Sequence, residues 1–519
     1  MKRRNFIQSA GALSVPLIFG GLQITAYGKQ SKFTSLLSQA QNTDRVLVLI
    51  QLGGGNDGLN TVIPLDNYNL YNNARSNIAI AENQVLKLTN STGINPAMTH
   101  LQSMYNEQKV RLVQSVGYPN PNFSHFRSTD IWLTGADYDS YVTTGWLGRE
   151  LHEEFPLYPS GFPNSTMPHP PAIQVGSTIS IAFDGPTSNM GMAWGDAGSY
   201  YNTSKDNFVP TNNPRAGKEL DYVRRVSDQV EKFVTPVRDI VTKTTTKSKL
   251  FPADKLNPLA DQLKVVAKMI TGGMKTRVYH VSMTGFDTHS GQNSGTLSHP
   301  ILLGQLSQAI QAFQDEIKIA KMEDKVIGMT FSEFGRRIKS NSSAGTDHGA
   351  AAPLFVFGTN VVPGVLGKSP IIPSKPTEDD NVEMQYDFRS IYASLLKDWF
   401  CVDNDVMKKV LFDQYPILPI IKGGSTDAKD SNSSSEIQLS QNFPNPFSSK
   451  TIIRLNCNNS FVSLKVYDLK GVEVDTLIDK SLPQGSHEIV YDGSNLPQGK
   501  YFIVLINNNV KSTKEMVKI

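Results

Sequence analysis

The chain predicts an α/β protein, a mainly parallel sheet flanked by helices, followed by a small C-terminal all-β sandwich. Three observations predict it. Strand-like apolar runs alternate with helical patterns over most of the chain, as in parallel sheets with crossover helices. A Gly/Ser/Asp-rich stretch then breaks the pattern. Beyond it, short clusters of β-formers are separated by turn signals, as in a small antiparallel sandwich.

The elements follow in order. Lys2-Arg3-Arg4-Asn5-Phe6-Ile7 precedes a small-residue and apolar stretch, Ala10–Ala26. A charged start, a short apolar core and small residues near its end predict a signal peptide over 1–28. Arg3-Arg4 resembles the twin-arginine signal, with an ordinary Sec signal as the alternative. Strands are predicted at Val46–Gln51, Val110–Val116, Val278–Met283, Val326–Phe331 and Pro353–Gly358. Helices are predicted at Ser124–Leu133, Glu219–Lys243, Ala260–Thr271, Ile301–Met322 and Phe388–Phe400. In the fourth of these, Leu303, Leu306, Ile310, Phe313 and Ile317 form one stripe at helical spacing. Leu157–Asn213, rich in Pro, Gly, Asn and Ser, predicts long surface loops. The large domain is expected over 43–422 and a flexible linker over 423–436, since Gly423–Glu436 has too little apolar surface to order itself. The tail module is expected over 437–519.

Composition excludes several classes. The formal net charge is +3 and charged residues make up 19% of 519, with no basic run interleaved with aromatics beyond the N-terminus, so no nucleic-acid partner is expected. No later segment holds about 20 consecutive apolar residues, so no membrane span is expected in the mature protein. Only Cys401 and Cys457 are present, so packing rather than disulfides should carry stability.

The apolar runs end in residues that a metal-dependent hydrolase needs, and ligands of open α/β sheets bind beyond the carboxyl ends of the strands. Asp57 closes Gly53-Gly54-Gly55-Asn56-Asp57, which lacks both the P-loop ending and dinucleotide spacing. A tight turn is the plain alternative, although the glycines would also let backbone approach a ligand. Ser124 opens a helix, where a hydroxyl is either an N-cap or, beside the positive end of the dipole, a nucleophile toward an anionic ester. Asp287 and His289 share a loop, and His299 follows just before the next helix. Glu333 ends a strand, and Arg336 after it either joins a surface salt-bridge cluster or clamps an anionic substrate. Asp347 and His348 precede the fifth strand. Such carboxylates and imidazoles suit divalent ions: zinc, manganese, calcium or magnesium.

Gln51-Leu-Gly-Gly-Gly-Asn-Asp-Gly-Leu-Asn60, Gly285-Phe-Asp-Thr-His289, Phe331-Ser-Glu-Phe-Gly-Arg-Arg337 and Gly345-Thr-Asp-His-Gly349 together resemble the bacterial domain-of-unknown-function family 1501 of the alkaline phosphatase-like superfamily, over roughly Arg45–Phe400. The resemblance implies an alkaline phosphatase-like fold with Asp57, Ser124 and Asp287 with His289 in the first three superfamily positions. For the remainder, Asp347-His348 copies the superfamily Asp-His pair. The preferred placement instead makes Glu333 a ligand and His348 the last one. Asp287-x-His289 is shorter than the superfamily spacing, which makes His299 an alternative ligand. Phe334 stands where a ligand His is expected, and Ser124-His-Phe-Arg127 lacks the frame needed for formylglycine. The tail, through Gln441-Asn-Phe-Pro-Asn-Pro-Phe447, Val466-Tyr-Asp-Leu-Lys-Gly471 and Leu496-Pro-Gln-Gly-Lys-Tyr-Phe502, resembles the C-terminal sorting domain of the type IX secretion system. It implies the type IX machinery as a partner and release or surface attachment after export. The expected function is a secreted metal-dependent hydrolase of phosphate or sulfate esters, with Ser124 as nucleophile and a small-molecule or glycan ester as substrate. The alternative is a non-catalytic secreted or surface binding protein on a degenerate phosphatase-like scaffold.

Overall fold

In the computed structural model, the described residues are 15–19, 22–26, 44–195, 232–423 and 438–518 apart from short turns. Residues 424–436 of the expected linker, 219–231 of one expected helix and most of the expected signal peptide lie outside them. Val15–Phe19 and Leu22–Ala26 pair antiparallel. The chain divides into two compact units, Met1–Ala428 and Lys429–Ile519.

The large unit is built on strands β1 (Val46–Gly53), β2 (Val110–Gly117), β3 (Ala172–Val175), β4 (Gly191–Trp194), β5 (Val278–Thr284), β6 (Val326–Phe331), β7 (Ala352–Phe357), β8 (Gly364–Leu366) and β9 (Tyr386–Asp387). They form one sheet in the order β8-β2-β7-β6-β1-β5-β3-β4, with β9 also paired to β2. β7 runs antiparallel to both its neighbours, while the other recorded pairings are parallel. The sheet is therefore mainly parallel. β1 and β6 are the continuous apolar runs VLVLIQLG and VIGMTF, buried on both faces as central parallel strands must be.

Helices flank this sheet. α1 (His125–Thr134) starts at Ser124 and stops at Gly135, whose left-handed backbone (φ 68°) ends the helix. α2 (Pro258–Thr271) is capped by Asn257, whose side chain accepts from the Ala260 amide. α3 (His299–Ile319) buries Leu303, Leu306, Ile310, Phe313 and Ile317, the predicted stripe. α4 (Phe388–Ser394) continues into a widened π-type turn at Leu395–Trp399. Residues 232–243 are helical.

One expectation is corrected. Leu157–Asn213 is not loop throughout, because β3 and β4 lie within it and extend the sheet beyond β5. The smaller unit holds two antiparallel sheets. One joins Gln438–Leu439, Lys450–Cys457 and Gly485–Asp492. The other joins Glu473–Leu482, Ser460–Tyr467, Gly499–Asn507 and Val510–Lys518. Leu455 and Ile453 from the first share a core with Leu464, Ile503 and Met516 from the second.

Candidate metal centre

The carboxyl ends of β1, β5 and β6 lie side by side, since these strands are adjacent and parallel. The turn after β1 passes through Gly54 and Gly55, both with left-handed backbone (φ 121° and 75°). A Cβ at Gly54 would lie 2.4 Å from the Asp287 amide nitrogen, and one at Gly55 2.3 Å from the Phe334 ring. Only glycine lets the three loops close on one another here. The Gly54 amide donates to Glu333 Oε1 at 2.8 Å, tying the end of β1 to the end of β6.

Asp287 follows β5 and is the hub. His289 Nε2 lies 3.1 Å and His348 Nε2 3.2 Å from its Oδ1. His125 Nε2, from the first residue of α1, lies 3.5 Å from its Oδ2. One ligand atom each from His125, Asp287 and His348 falls within 4.8 Å of the others.

The other ring nitrogens decide the tautomers. Each Nδ1 faces an acceptor at 2.8 Å: Glu333 Oε1 for His125, Asp347 Oδ1 for His289, and the Phe123 carbonyl for His348. Each Nδ1–H therefore donates outward, and in the neutral ring the Nε2 lone pair points inward. With all three rings neutral, three lone pairs would face a carboxylate. His289 Nε2 and His348 Nε2 are 2.9 Å apart, and His125 Nε2 is buried with no hydrogen-bond partner. Facing lone pairs repel unless a proton or a metal cation lies between them. The donor set of His125, His348 and Asp287, with His289 Nε2 against the last two, suits a divalent ion of the zinc or manganese type.

Charge supports the same arrangement. Partial burial would raise the Asp287 carboxyl, but the hydrogen bond and charge of Arg336 hold it at about 2. Burial lowers the His348 imidazole below its ordinary value, despite the Phe123 carbonyl and the Asp287 carboxylate beside it. Both groups are in the state a ligand requires: ionised carboxylate, neutral imidazole.

The other expected residues take different places. Glu333 and Asp347, expected as ligands, stand one step outside, holding His125 and His289. Asp57 does not reach the cluster. It is fully buried, and Arg75 donates to both its oxygens at 2.9 and 2.7 Å, with Gln292 donating at 2.6 Å. Burial penalises that carboxylate, but Arg75, then His299, more than offset the penalty and hold it below its ordinary value. His299, also buried, hydrogen-bonds Asn56 rather than the cluster, and burial lowers it to about 4. A guanidinium thus sits where the sequence suggested a metal ion.

Arg336 was expected at a substrate anion and is instead 1% exposed. It donates to the carbonyls of Gly54, Gly55, Phe286 and Thr346 and to Asp287 at 2.7 Å. It positions the Asp287 loop. Phe334, noted in place of a ligand His, packs against the rings of His125 and His348 with centroids 4.9 and 4.7 Å away. Ser124 is exposed at the start of α1, and its hydroxyl makes no capping bond. It lies between Phe123, whose carbonyl holds His348, and His125. Sequence reasoning missed His125, although Ser124-His125-Phe126 was legible as a motif. It also missed Arg75, for which no local signal exists.

Comparison with known proteins agrees with the sequence resemblance. Residues 238–415 match the family described as "Protein of unknown function (DUF1501)". Residues 441–519 match the "Secretion system C-terminal sorting domain". The tail is thus a sorting domain of the type IX route, and the protein is exported across the outer membrane for release or surface attachment. Among the described residues no helix is long and apolar enough to cross a membrane. No curated protein matches the chain. Among solved structures, the chain is similar to an alkaline phosphatase superfamily protein from Vibrio parahaemolyticus, with 11% identity, 87% of this chain and 92% of that one covered, and TM-score 0.35. It is similar to the PsFucS1 sulfatase of Pseudoalteromonas sp., with 8% identity, coverage of 91% and 89%, and TM-score 0.34. A third likeness is to a Bacteroides thetaiotaomicron protein of glycosaminoglycan metabolism, with 10% identity, coverage of 87% and 90%, and TM-score 0.34.

Proposed function

We propose that the large unit is a secreted metal-dependent hydrolase of phosphate or sulfate esters, with Ser124 as nucleophile and His125, His289, His348 and Asp287 as the ligands of one divalent ion. The supporting observation is the approach of three Nε2 atoms to Asp287, with Ser124, whose hydroxyl makes no capping bond, next in the chain to His125. When bound, the ion supplies Lewis-acid charge at the ester and lowers the pKa of a coordinated oxygen. Ser124 Oγ forms a bond to phosphorus or sulfur while the ester's bond to its alcohol oxygen breaks. The alcohol leaves with the hydroxyl proton. Water then displaces Ser124, releasing the phosphate or sulfate product and restoring the hydroxyl. The amides at the start of α1 and its positive dipole end lie beside Ser124 and favour an anion there. Glu333 and Asp347 fix the rings of His125 and His289, and Arg336 fixes Asp287.

The test compares wild type with Ser124→Ala on chromogenic phosphate monoester, phosphate diester and sulfate substrates, with metal supplied. A fall of about 10³-fold or more in kcat is expected on the best substrate. Equal rates in the two proteins would remove Ser124 from the chemistry. The rival reading, a binding protein on a degenerate scaffold, gains support from the buried Asp57–Arg75 pair and from Phe334. It predicts no serine-dependent turnover on any of the three.

A further inference from the structure

We infer that Gln292 is a positioning residue, a buried clamp that sets the loop of Asp287 and His289 against the loop of Asp347 and His348 by tying both to the Asp57–Arg75 pair. The inference rests on the metal centre proposed above and goes beyond it by naming what holds two of its loops together.

Each bond of the clamp has one direction. Gln292 Nε2 donates to Asp57 Oδ2 at 2.6 Å. Its Oε1 accepts from the Thr288 hydroxyl and from the Thr346 hydroxyl, each at 2.9 Å. The amide meets these three partners in one orientation, because a carboxylate only accepts and each hydroxyl can donate. Gln292, Asp57, Thr288 and Thr346 are all buried. A lost partner there leaves a polar group unsatisfied rather than solvated.

The anchor is itself held. Arg75 donates to both oxygens of Asp57 and also to the carbonyls of Arg337 at 2.7 Å and Ile338 at 3.1 Å. From that anchor the clamp reaches the cluster through chain neighbours. Thr288 lies between Asp287 and His289, and Thr346 immediately precedes Asp347 and His348. His289 and Asp347 are exposed, so their spacing is set from the buried side, by the threonine next to each. Across this join His289 Nδ1 meets Asp347 Oδ1 at 2.8 Å, and His289 Nε2 lies 2.9 Å from His348 Nε2. The main chain follows the same seam: the Thr346 amide donates to the Thr288 carbonyl at 3.0 Å and the Gln292 amide to the Ala344 carbonyl at 2.8 Å. A Cβ at Gly345 would lie 2.3 Å from the His289 carbonyl, so the two loops touch.

The experiment uses the full chain, with zinc as the probe, titrated against a chromogenic chelator at a temperature where circular dichroism shows each variant folded. Gln292→Met keeps the length of the side chain and removes all three bonds. Thr288→Val and Thr346→Val keep shape and remove one hydroxyl each, while Thr288→Ser and Thr346→Ser keep the hydroxyl. Gln292→Met is expected to weaken zinc by about tenfold or more, as loss of outer support for a ligand does. The valine variants should weaken it too, and the serine variants should bind as wild type does. Adding Thr288→Val to Gln292→Met should cost no further affinity, because the bond it removes is already gone. In the metal-free chain, hydrogen exchange should speed up over 286–290 and 344–349 in Gln292→Met and stay unchanged in the tail unit.

A merely structural glutamine would lower the unfolding temperature and leave the zinc affinity of the folded protein alone. That result, or serine variants as weak as the valine ones, would overturn the inference. If Gln292→Met does not fold, the four threonine variants decide in the same way. If wild type takes no zinc, the metal reading falls, and exchange decides the clamp: faster exchange in both loops upholds it, and unchanged exchange overturns it.

Discussion

At the residue scale, two buried imidazoles govern how the fold responds to acid. Burial holds His299 and His280 at about 4, and neither ring nitrogen of His280 has a hydrogen-bond partner. Their folded values lie below the unfolded value of about 6.5, so each stabilises the fold fully above that pH. The contribution is lost as pH falls from about 6.5 toward 4. Asp57, held below its ordinary value, contributes above about 3.9 and fails only at lower pH. Urea unfolding in EDTA should therefore lose about 2–3 kcal/mol per ring between pH 7 and pH 4.5. His280→Leu should flatten that fall. An unchanged slope would exclude His280 as a cause. At this scale the sequence was informative about residue type but not about partners. That Asp287, His289 and His348 lie together was foreshadowed, because Asp-x-His and Asp-His are local patterns. The pairing of Asp57 with Arg75 was not, because it depends on two loops meeting.

At the scale of elements, the strand ends do the positioning. β1, β5 and β6 were legible as apolar runs because central parallel strands are buried on both faces. β3 and β4 were not, since AIQV and GMAW are too short to stand out among prolines and glycines. The turn after β1 is the tightest point of the site. Gly55→Ala places a Cβ 2.3 Å from Phe334 at a left-handed backbone position. We expect a loss of roughly 1–3 kcal/mol in stability, with weaker metal binding because Phe334 packs on two of the ligand rings. Thermal unfolding and metal titration of the variant test this. Wild-type behaviour in both would mean that the turn has room the structure does not give it.

At the scale of the whole molecule, the organisation was legible from composition: a large α/β unit, a polar stretch and a small β unit. The motifs of the tail announced its role in export. The centre itself was only half legible. Residues from near positions 57, 125, 287, 333 and 348 do meet along one edge of the sheet, but they sort into imidazoles around Asp287, an outer holding group and a sealed ion pair. That sorting depends on which ring nitrogen faces which acceptor, information carried by packing alone.

X-ray absorption at the edge of the bound metal tests the central claim most directly, because it reads ligand type and number in the intact chain. One ion per chain with about three imidazole nitrogens and a carboxylate oxygen is predicted, with one imidazole lost in His125→Ala. An ion bound mainly by carboxylates, or an imidazole count unchanged in that variant, would contradict it.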